Sequence, residues 1–500
     1  MSAADAVVIG SGFGGLALAI RLQSAGLKTI LLERRDKPGG RAYVYRDDGF
    51  TFDAGPTVIT DPTCLEELFA LSGRKMDDYV KLLPITPFYQ LRWEDGVVFD
   101  YVNDQNELNR QIAALNPKDV GGYHRFQRYS EALLQEGYIK LGHVPFPDFR
   151  SMVRVAPQLV TLQSYRSVYS MVARFIDDDH LRQAFSFHSL LVGGNPFKTS
   201  AIYALIHALE RKWGVWFAQG GTGALIEGMV RLYKDLGGSI HLNAEVAKIE
   251  TAEGRARGVT TKSGDRFTAS IVASNADVMH TYGGLLAEEP RAQRTTKYLS
   301  GRRYSMSLFV IYFGLRRTHP HLKHHIVMFG KRYRDLIQEI FNGPQLPDDF
   351  SLYLHAPSVT DPSLAPAGSS AYYVLSPVPH LGAADVDWSV EGPRYRDRIL
   401  AYIEKHLIPD LRKDLVTCRI FTPENFKHDL NAHLGSAFSL EPILTQSAYF
   451  RAHNEDTRIG GLYLVGAGTH PGAGVPGVVA SAKATAGIIL GNRARAGAVA

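Results

Sequence analysis

Cysteine is almost missing from this chain. Cys64 and Cys418 are the only two in 500 residues, far apart and in no CxxC pattern. That argues against a disulfide framework, a thiolate zinc site or an iron–sulfur cluster. No metal is expected, and a reducing cytoplasmic setting fits best. No apolar run reaches the roughly 18 to 20 residues of a membrane span. Val7 to Ile20 comes nearest. However, Asp5 stands where a signal peptide would carry its basic start, and four glycines break the run in a phosphate-loop pattern. Any meeting with a membrane is therefore expected at its surface. There is no Lys/Arg block and no basic stripe interleaved with aromatics, so the net charge of +5 carries no nucleic-acid footprint. It does allow weak attraction to anionic lipid. Internal repeats and low-complexity tracts are lacking too. With 45% hydrophobic and 21% charged residues the composition is that of a folded protein, and the length suggests two or three domains.

What is present begins at once. Ala6 to Ile9 reads as a strand, a glycine turn follows, and Gly14 to Ser24 reads as a helix closed by Gly26. A second apolar run, Thr29 to Leu32, ends at Glu33. This is a βαβ unit. Residues 120–215 mix helical periodicity with many aromatics. Strand-like segments return at 239–249, 270–273, 308–313 and 371–375. The chain ends as it began: Leu462 to Val465 reads as a buried strand, a glycine turn follows, and Val475 to Leu490 reads as a helix before a loose tail from Gly491. Two ends with one grammar predict an α/β fold with a discontinuous Rossmann-like domain, a mixed α+β substrate domain and a helical membrane-facing region. The expected division is 1–75, 215–290 and 455–493 for the cofactor domain, 76–214 for the substrate and membrane-associating region, and 291–454 for the substrate domain.

The chemistry sits in three motifs. In Gly10-x-Gly12-x-Gly14-Gly15 the first glycine permits the tight turn, Gly12 lets a pyrophosphate approach the backbone, and Gly15 lets helix and strand pack closely. The helix N-terminus then presents free N–H groups and a positive dipole end. Glu33, 18 residues beyond Gly15, is placed to bond a ribose hydroxyl and disfavours a 2′-phosphate. Next come Arg34, the pair Gly39-Gly40 and Arg41, followed by Asp53-Ala-Gly55-Pro56-Thr57. The glycines allow close backbone approach and the arginines suit a phosphate. The third motif runs from Gly466 through Gly468, His470 and Gly474 to Gly477. Glycine at that density between a strand and a helix points to backbone access. Gly220 to Leu225, Val246 and Ala273 to Asp277 give weaker support. No second GxGxxG is present for a nicotinamide.

GxGxxG, acid, then GG-R resembles the FAD-binding opening of the flavin amine oxidase superfamily. The resemblance implies FAD, with Gly40 and Arg41 along the pyrophosphate, Gly55 to Thr57 near the flavin, Val246 at the adenine, and the 466–477 loop supplying donors from a second helix start. Over about residues 5 to 490 the sequence closely resembles bacterial-type phytoene desaturases. The carrying stretches are Val8 to Gln23, Arg35 to Tyr45, Gly49 to Pro62, Phe185 to Pro196 and Leu464 to Gly474. The resemblance implies removal of a hydride and a proton from phytoene, toward lycopene, by a peripheral membrane protein of the cytoplasm. It implies a carotenoid drawn from the membrane and quinone or oxygen as acceptor, and it allows a homo-oligomer on the membrane. A desaturase or isomerase of another carotene, an amine oxidase with a polar substrate, and a flavin-free isoprenoid carrier are the alternatives.

No base stands out. Asp148, Arg150 and Arg154 precede an apolar stretch and read first as exposed charges on an amphipathic helix. His188 reads first as a core histidine. His470, in the glycine-rich loop, is the better placed of the weak candidates, with Arg154 the other. The region from Pro145 to Trp216 is the expected membrane-facing tunnel mouth.

Overall fold

A computed structural model describes residues 2–146 and 148–499, with the side chains of the first and last few residues left aside. The apolar runs at the two ends of the chain come together in one parallel sheet. Its strands are β1 (Ala6–Ile9), β2 (Thr29–Leu32), β3 (Ser239–His241), β4 (Ile271–Ser274) and β5 (Leu462–Leu464), in the order β3-β2-β1-β4-β5. Every neighbouring pair in it is parallel. Both faces are covered, which is why β1 and β2 read as unbroken apolar runs rather than alternating ones. Helix α1 (Phe13–Ser24) follows β1, and Gly26 beyond its end has φ +83. The later helices include α2 (Phe149–Thr161), α3 (Gly221–Asp235) and α4 (Val475–Val499). Helix α1 packs on α3 and α4. Helix α4 runs to Val499, where a loose tail was expected from Gly491: alanines and few breakers carry the helix past the core.

A second sheet of seven strands forms the rest of the core. Its order is Leu415–Phe421, Ser307–Leu315, Ser370–Val378, Leu352–His355, His325–Phe329, Tyr89–Trp93, Val98–Tyr101. All its pairs are antiparallel except Tyr89–Trp93 with His325–Phe329. Side chains alternate along Ser307–Leu315: Leu308, Val310 and Tyr312 face one core cluster, and Phe309, Ile311 and Phe313 face another. The first of these faces looks toward the parallel sheet across a cavity. Two strands from the 76–214 segment belong to this sheet, so that segment is partly built into the substrate wall.

Candidate functional site

The turn after β1 sets the geometry. Gly10 has φ +88, a conformation glycine adopts without strain. A Cβ on Gly15 would lie 2.0 Å from the Gly10 carbonyl oxygen, so strand and helix touch there backbone to backbone. A Cβ on Gly14 would lie 2.7 Å from Asn275 Oδ1 and 3.1 Å from Gly466 Cα. The first and last glycine loops therefore meet over Asn275, which also donates weakly to the Gly10 carbonyl at 3.4 Å. Gly466 (φ +101) admits no side chain either, since its Cβ would fall 2.4 Å from Asn275 Oδ1.

Glu33 is buried at the end of β2. Its Oε2 accepts from the Ser11 N–H (2.9 Å) and Ser11 Oγ (2.6 Å), and its Oε1 accepts from the Arg35 N–H at 3.0 Å. A carboxylate offers about four acceptor sites. These three bonds leave one for a ribose hydroxyl. Arg34 donates to the His428 carbonyl (2.8 Å) and to Asn431 Oδ1 (2.7 Å), which ties the rim of the site to a segment almost 400 residues further along the chain. Half-buried Arg41 spends only its Nε, on the Ala437 carbonyl at 2.6 Å. Desolvation lowers its pKa, partly opposed by nearby Asp277. Gly40 sits against Gly12, and a Cβ on Gly55 would fall 2.3 Å from the Arg41 carbonyl oxygen.

One cavity of about 550 Å³ takes in this whole cradle. Gly10, Gly12, Gly14, Glu33, Arg34, Gly40, Arg41, Gly55, Pro56, Thr57, Val246 and Gly474 line it. Gly15, Gly466 and Gly468 lie beneath the wall, where they permit close packing. The donors fit a dinucleotide: glycine backbone that a Cβ would obstruct, one helix N-terminus, a carboxylate with a site to spare and an arginine with free N–H groups. From Thr57 the cavity runs on between Leu190, Leu205, Leu308, Val310 and Phe329, to Met152 and Leu159 of α2. This part is mainly apolar, with Ser164, Ser200 and Glu210 among its polar members.

The two weak candidates part company. His470 lines the cavity and donates through Nε2 to the Leu141 carbonyl, 2.9 Å away. Burial brings its pKa down to about 4, so it is neutral at ordinary pH. Arg154 lies exposed on the outer face of α2 and is not among the lining residues. Asp148 caps that helix by accepting from the Ser151 N–H at 2.8 Å. His188 is a core histidine, with Nε2 2.9 Å from Glu210 Oε2. Sequence reasoning passed over Glu210. It is fully buried at the cavity wall and also accepts from Tyr89 Oη at 2.7 Å. Asp53 opens the Asp53-Ala-Gly55-Pro56-Thr57 run. It is buried and accepts from the Thr222 and Gly223 N–H groups at the start of α3 (2.9 and 3.2 Å), and desolvation raises its pKa to about 6.

Buried neutral imidazoles are numerous here. Burial lowers the pKa of His207, His324, His325, His355 and His470. A histidine whose folded pKa is depressed favours the fold above pH 6.5, and that stability is lost as the pH falls toward 4. Each adds about 1.4 kcal/mol per pH unit. Asp53 acts in the opposite sense, but it is one against five. The melting temperature is expected to be about 5–10 °C lower at pH 5 than at pH 7. A flat profile by calorimetry would show that these rings are solvated.

The model for flavin containing amine oxidoreductases matches residues 13–490. The chain belongs to that family. It is 64% identical to the phytoene desaturase (lycopene-forming) of Pantoea ananas, over 97% of this chain and 98% of the relative. It is 61% identical to the protein of the same name from Paracoccus sp., over 99% of both chains. Among solved structures, the cyclohexylamine oxidase of Brevibacterium oxydans shares the fold at 16% identity, with a TM-score of 0.63 and coverage of 98% of this chain and 99% of that one. The flavin amine oxidase-type α/β architecture expected from the glycine motifs is thus the one found. Family membership and the fit of the cradle agree on FAD.

Proposed function

We propose that this chain is an FAD-dependent phytoene desaturase acting toward lycopene. The observation that carries the reading is the continuity of one cavity, polar at the dinucleotide cradle and mainly apolar from Thr57 to α2. A polyene has no group to pair with a charge, so a wall of Leu, Val and Phe suits it. The flavin, when bound, supplies the acceptor for a hydride with its electron pair. The chain's own part is to hold the cofactor through Gly12, Glu33, Arg41 and the 466–474 loop, to align the hydrocarbon and to exclude water. Segments 1–75, 215–290 and 455–493 form the cofactor domain in this reading, with β1 to β5 as its Rossmann-like sheet.

The substrate is drawn from a membrane. Among the described residues no helix is long and apolar enough to cross one. Helix α2 instead offers an edge. Met152 and Leu159 on one face line the cavity, while Phe149, Val153 and Val160 on another are each more than half exposed. No residue of α2 is fully buried, and Arg150 and Arg154 stand exposed beside the apolar face. Such a helix suits the interface of an anionic bilayer. The rest of the expected 145–216 mouth is mostly core, as Val168, Phe185 and Leu209 show. Pro147 lies outside the described residues.

The reading is tested by supplying phytoene in anionic liposomes to the yellow holoprotein and identifying the products. Lycopene is expected with a quinone or oxygen as acceptor and with no nicotinamide present, because the cradle contains a single GxGxxG. Turnover that starts only on adding NADPH would refute the acceptor assignment, and an unchanged phytoene pool under every acceptor would refute the substrate.

A further inference from the structure

Three buried histidines stand behind the cavity wall, and nothing in the reading above uses them. His325 and His355 belong to adjacent strands of the seven-stranded sheet, and His324 precedes the first of these strands. One ring nitrogen from each lies within 4.8 Å of the others. A divalent ion is a poor occupant. His324 and His355 already bond each other through their Nε2 atoms at 3.0 Å, a bond that a metal ion would have to displace.

The hydrogen bonds lead instead in a line. In the cavity wall, Thr57 Oγ1 lies 2.7 Å from Tyr373 Oη and 3.3 Å from Tyr353 Oη. Tyr353 Oη is 2.7 Å from His325 Nδ1. His325 and His355 are stacked at 18°, with centroids 5.4 Å apart. His325 Nε2 and His355 Nδ1 are both buried and without a protein partner. From His355 the line passes to His324, whose Nδ1 is 2.7 Å from Thr360 Oγ1. Thr360 is half-buried beside exposed Val359, at the protein surface. Every member can both donate and accept a proton, and burial keeps the three rings neutral, as a relay requires.

We propose that this line, Thr57 and Tyr353 to His325, His355, His324 and Thr360, conducts protons between the flavin end of the cavity and solvent. The inference rests on the desaturase reading for its purpose. Each new double bond breaks two C–H bonds. One hydrogen leaves as hydride with its electron pair. The other leaves as a proton, and its electron pair becomes the π bond. An adjacent C–H beside an allylic cation is acidic enough for a neutral hydroxyl to receive its proton. The Tyr353 hydroxyl takes that proton while passing its own to His325 Nδ1. The rings carry the charge onward across the step from His325 to its neighbours, whose ring nitrogens lie within 4.8 Å of one another. The electrons leave separately, with an acceptor of the quinone class. His324, His355 and Thr360 are positioning residues here, since they act through Tyr353.

The test uses holoprotein in liposomes without phytoene. The bound flavin is reduced by methyl viologen radical cation, which gives electrons without protons, and proton uptake from the bulk is followed with a pH-sensitive dye beside the flavin absorbance. In the unmodified chain uptake should keep pace with bleaching. In His325→Gln and in His324→Gln the flavin should bleach at the same rate while uptake lags at least about tenfold. Thr360→Val, at the half-buried exit, puts no core residue at risk and should show the same lag, so misfolding of the histidine variants would not shelter the proposal. Uptake that keeps pace in a folded variant overturns it. So does about one zinc or other first-row metal per purified chain by mass spectrometry, because the rings would then be ligands. Since no phytoene is used, failure of the relay and failure of the substrate assignment are read separately.

Discussion

Gly12→Val should yield a folded chain that purifies colourless, with FAD affinity lowered at least about 100-fold, or about 2.7 kcal/mol. Gly12 is the N-cap of α1 and lines the cavity, with extended backbone at φ −65, ψ 172 that a valine adopts without strain. A Cβ there would lie 3.1 Å from Asn275 Nδ2 and 3.7 Å from the Gly39 carbonyl oxygen, which is tight but not prohibitive for the fold. The two methyl groups beyond it would occupy the space between α1 and the Gly39-Gly40 turn, where the phosphates have to approach. Gly15 makes the contrast. Its Cβ would fall 2.0 Å from a carbonyl oxygen in the turn, so Gly15→Val should fail at folding and says nothing about the cofactor. The measurement is flavin per chain together with the melting temperature. Stoichiometric flavin in purified Gly12→Val would move the pyrophosphate elsewhere.

The double change Val153→Asp and Val160→Asp should release the protein from anionic liposomes while leaving its flavin content unchanged. Both side chains project from α2 into solvent, more than half exposed, where in water they gain nothing from burial. At a bilayer each contributes on the order of 1–2 kcal/mol, and an aspartate adds repulsion from anionic lipid. The bound fraction in flotation should fall at least about 100-fold, and turnover of phytoene supplied in liposomes should fall with it. Hydrogen exchange on the unmodified protein gives the complementary reading: lipid should protect Phe149–Thr161 and leave the Gly10 loop as it was. Equal flotation of the double variant would exclude α2 as the contact.

What the sequence revealed, and what it hid, divide by the distance over which the signal acts. The β1–α1–β2 unit was legible because strand, glycine turn, helix and closing Gly26 lie within 27 residues and each signal is local. The joining of the two ends was legible because β5 and its glycine loop repeat that grammar. The pairing of Tyr89–Trp93 with His325–Phe329 was not, because nothing local specifies a partner more than 200 residues away. Glu210 was hidden for the same reason: its meaning comes from Tyr89 and His188, which reach it only in the folded chain. The three-histidine line needs two strands and a loop to exist at all. Helix α2 was half legible. Its arginines read correctly as exposed charges, and its apolar residues told of an apolar surface, but which of them face the cavity and which face outward follows from where the helix sits. Arg154 remained a candidate until that was known.

The contact between Gly14 and the Gly466 loop bears on how the protein is made. On a ribosome the first glycine loop emerges roughly 450 residues ahead of its counterpart and of β5, the edge strand of the parallel sheet. The nascent chain therefore has to keep an unfinished sheet edge and an open cradle until that later segment has emerged. Flavin loading has to wait for that segment, and a cell short of FAD should accumulate translated but unloaded chains. Because α4 rests on α1, any change that displaces α4 should act on cofactor uptake from a position remote in sequence.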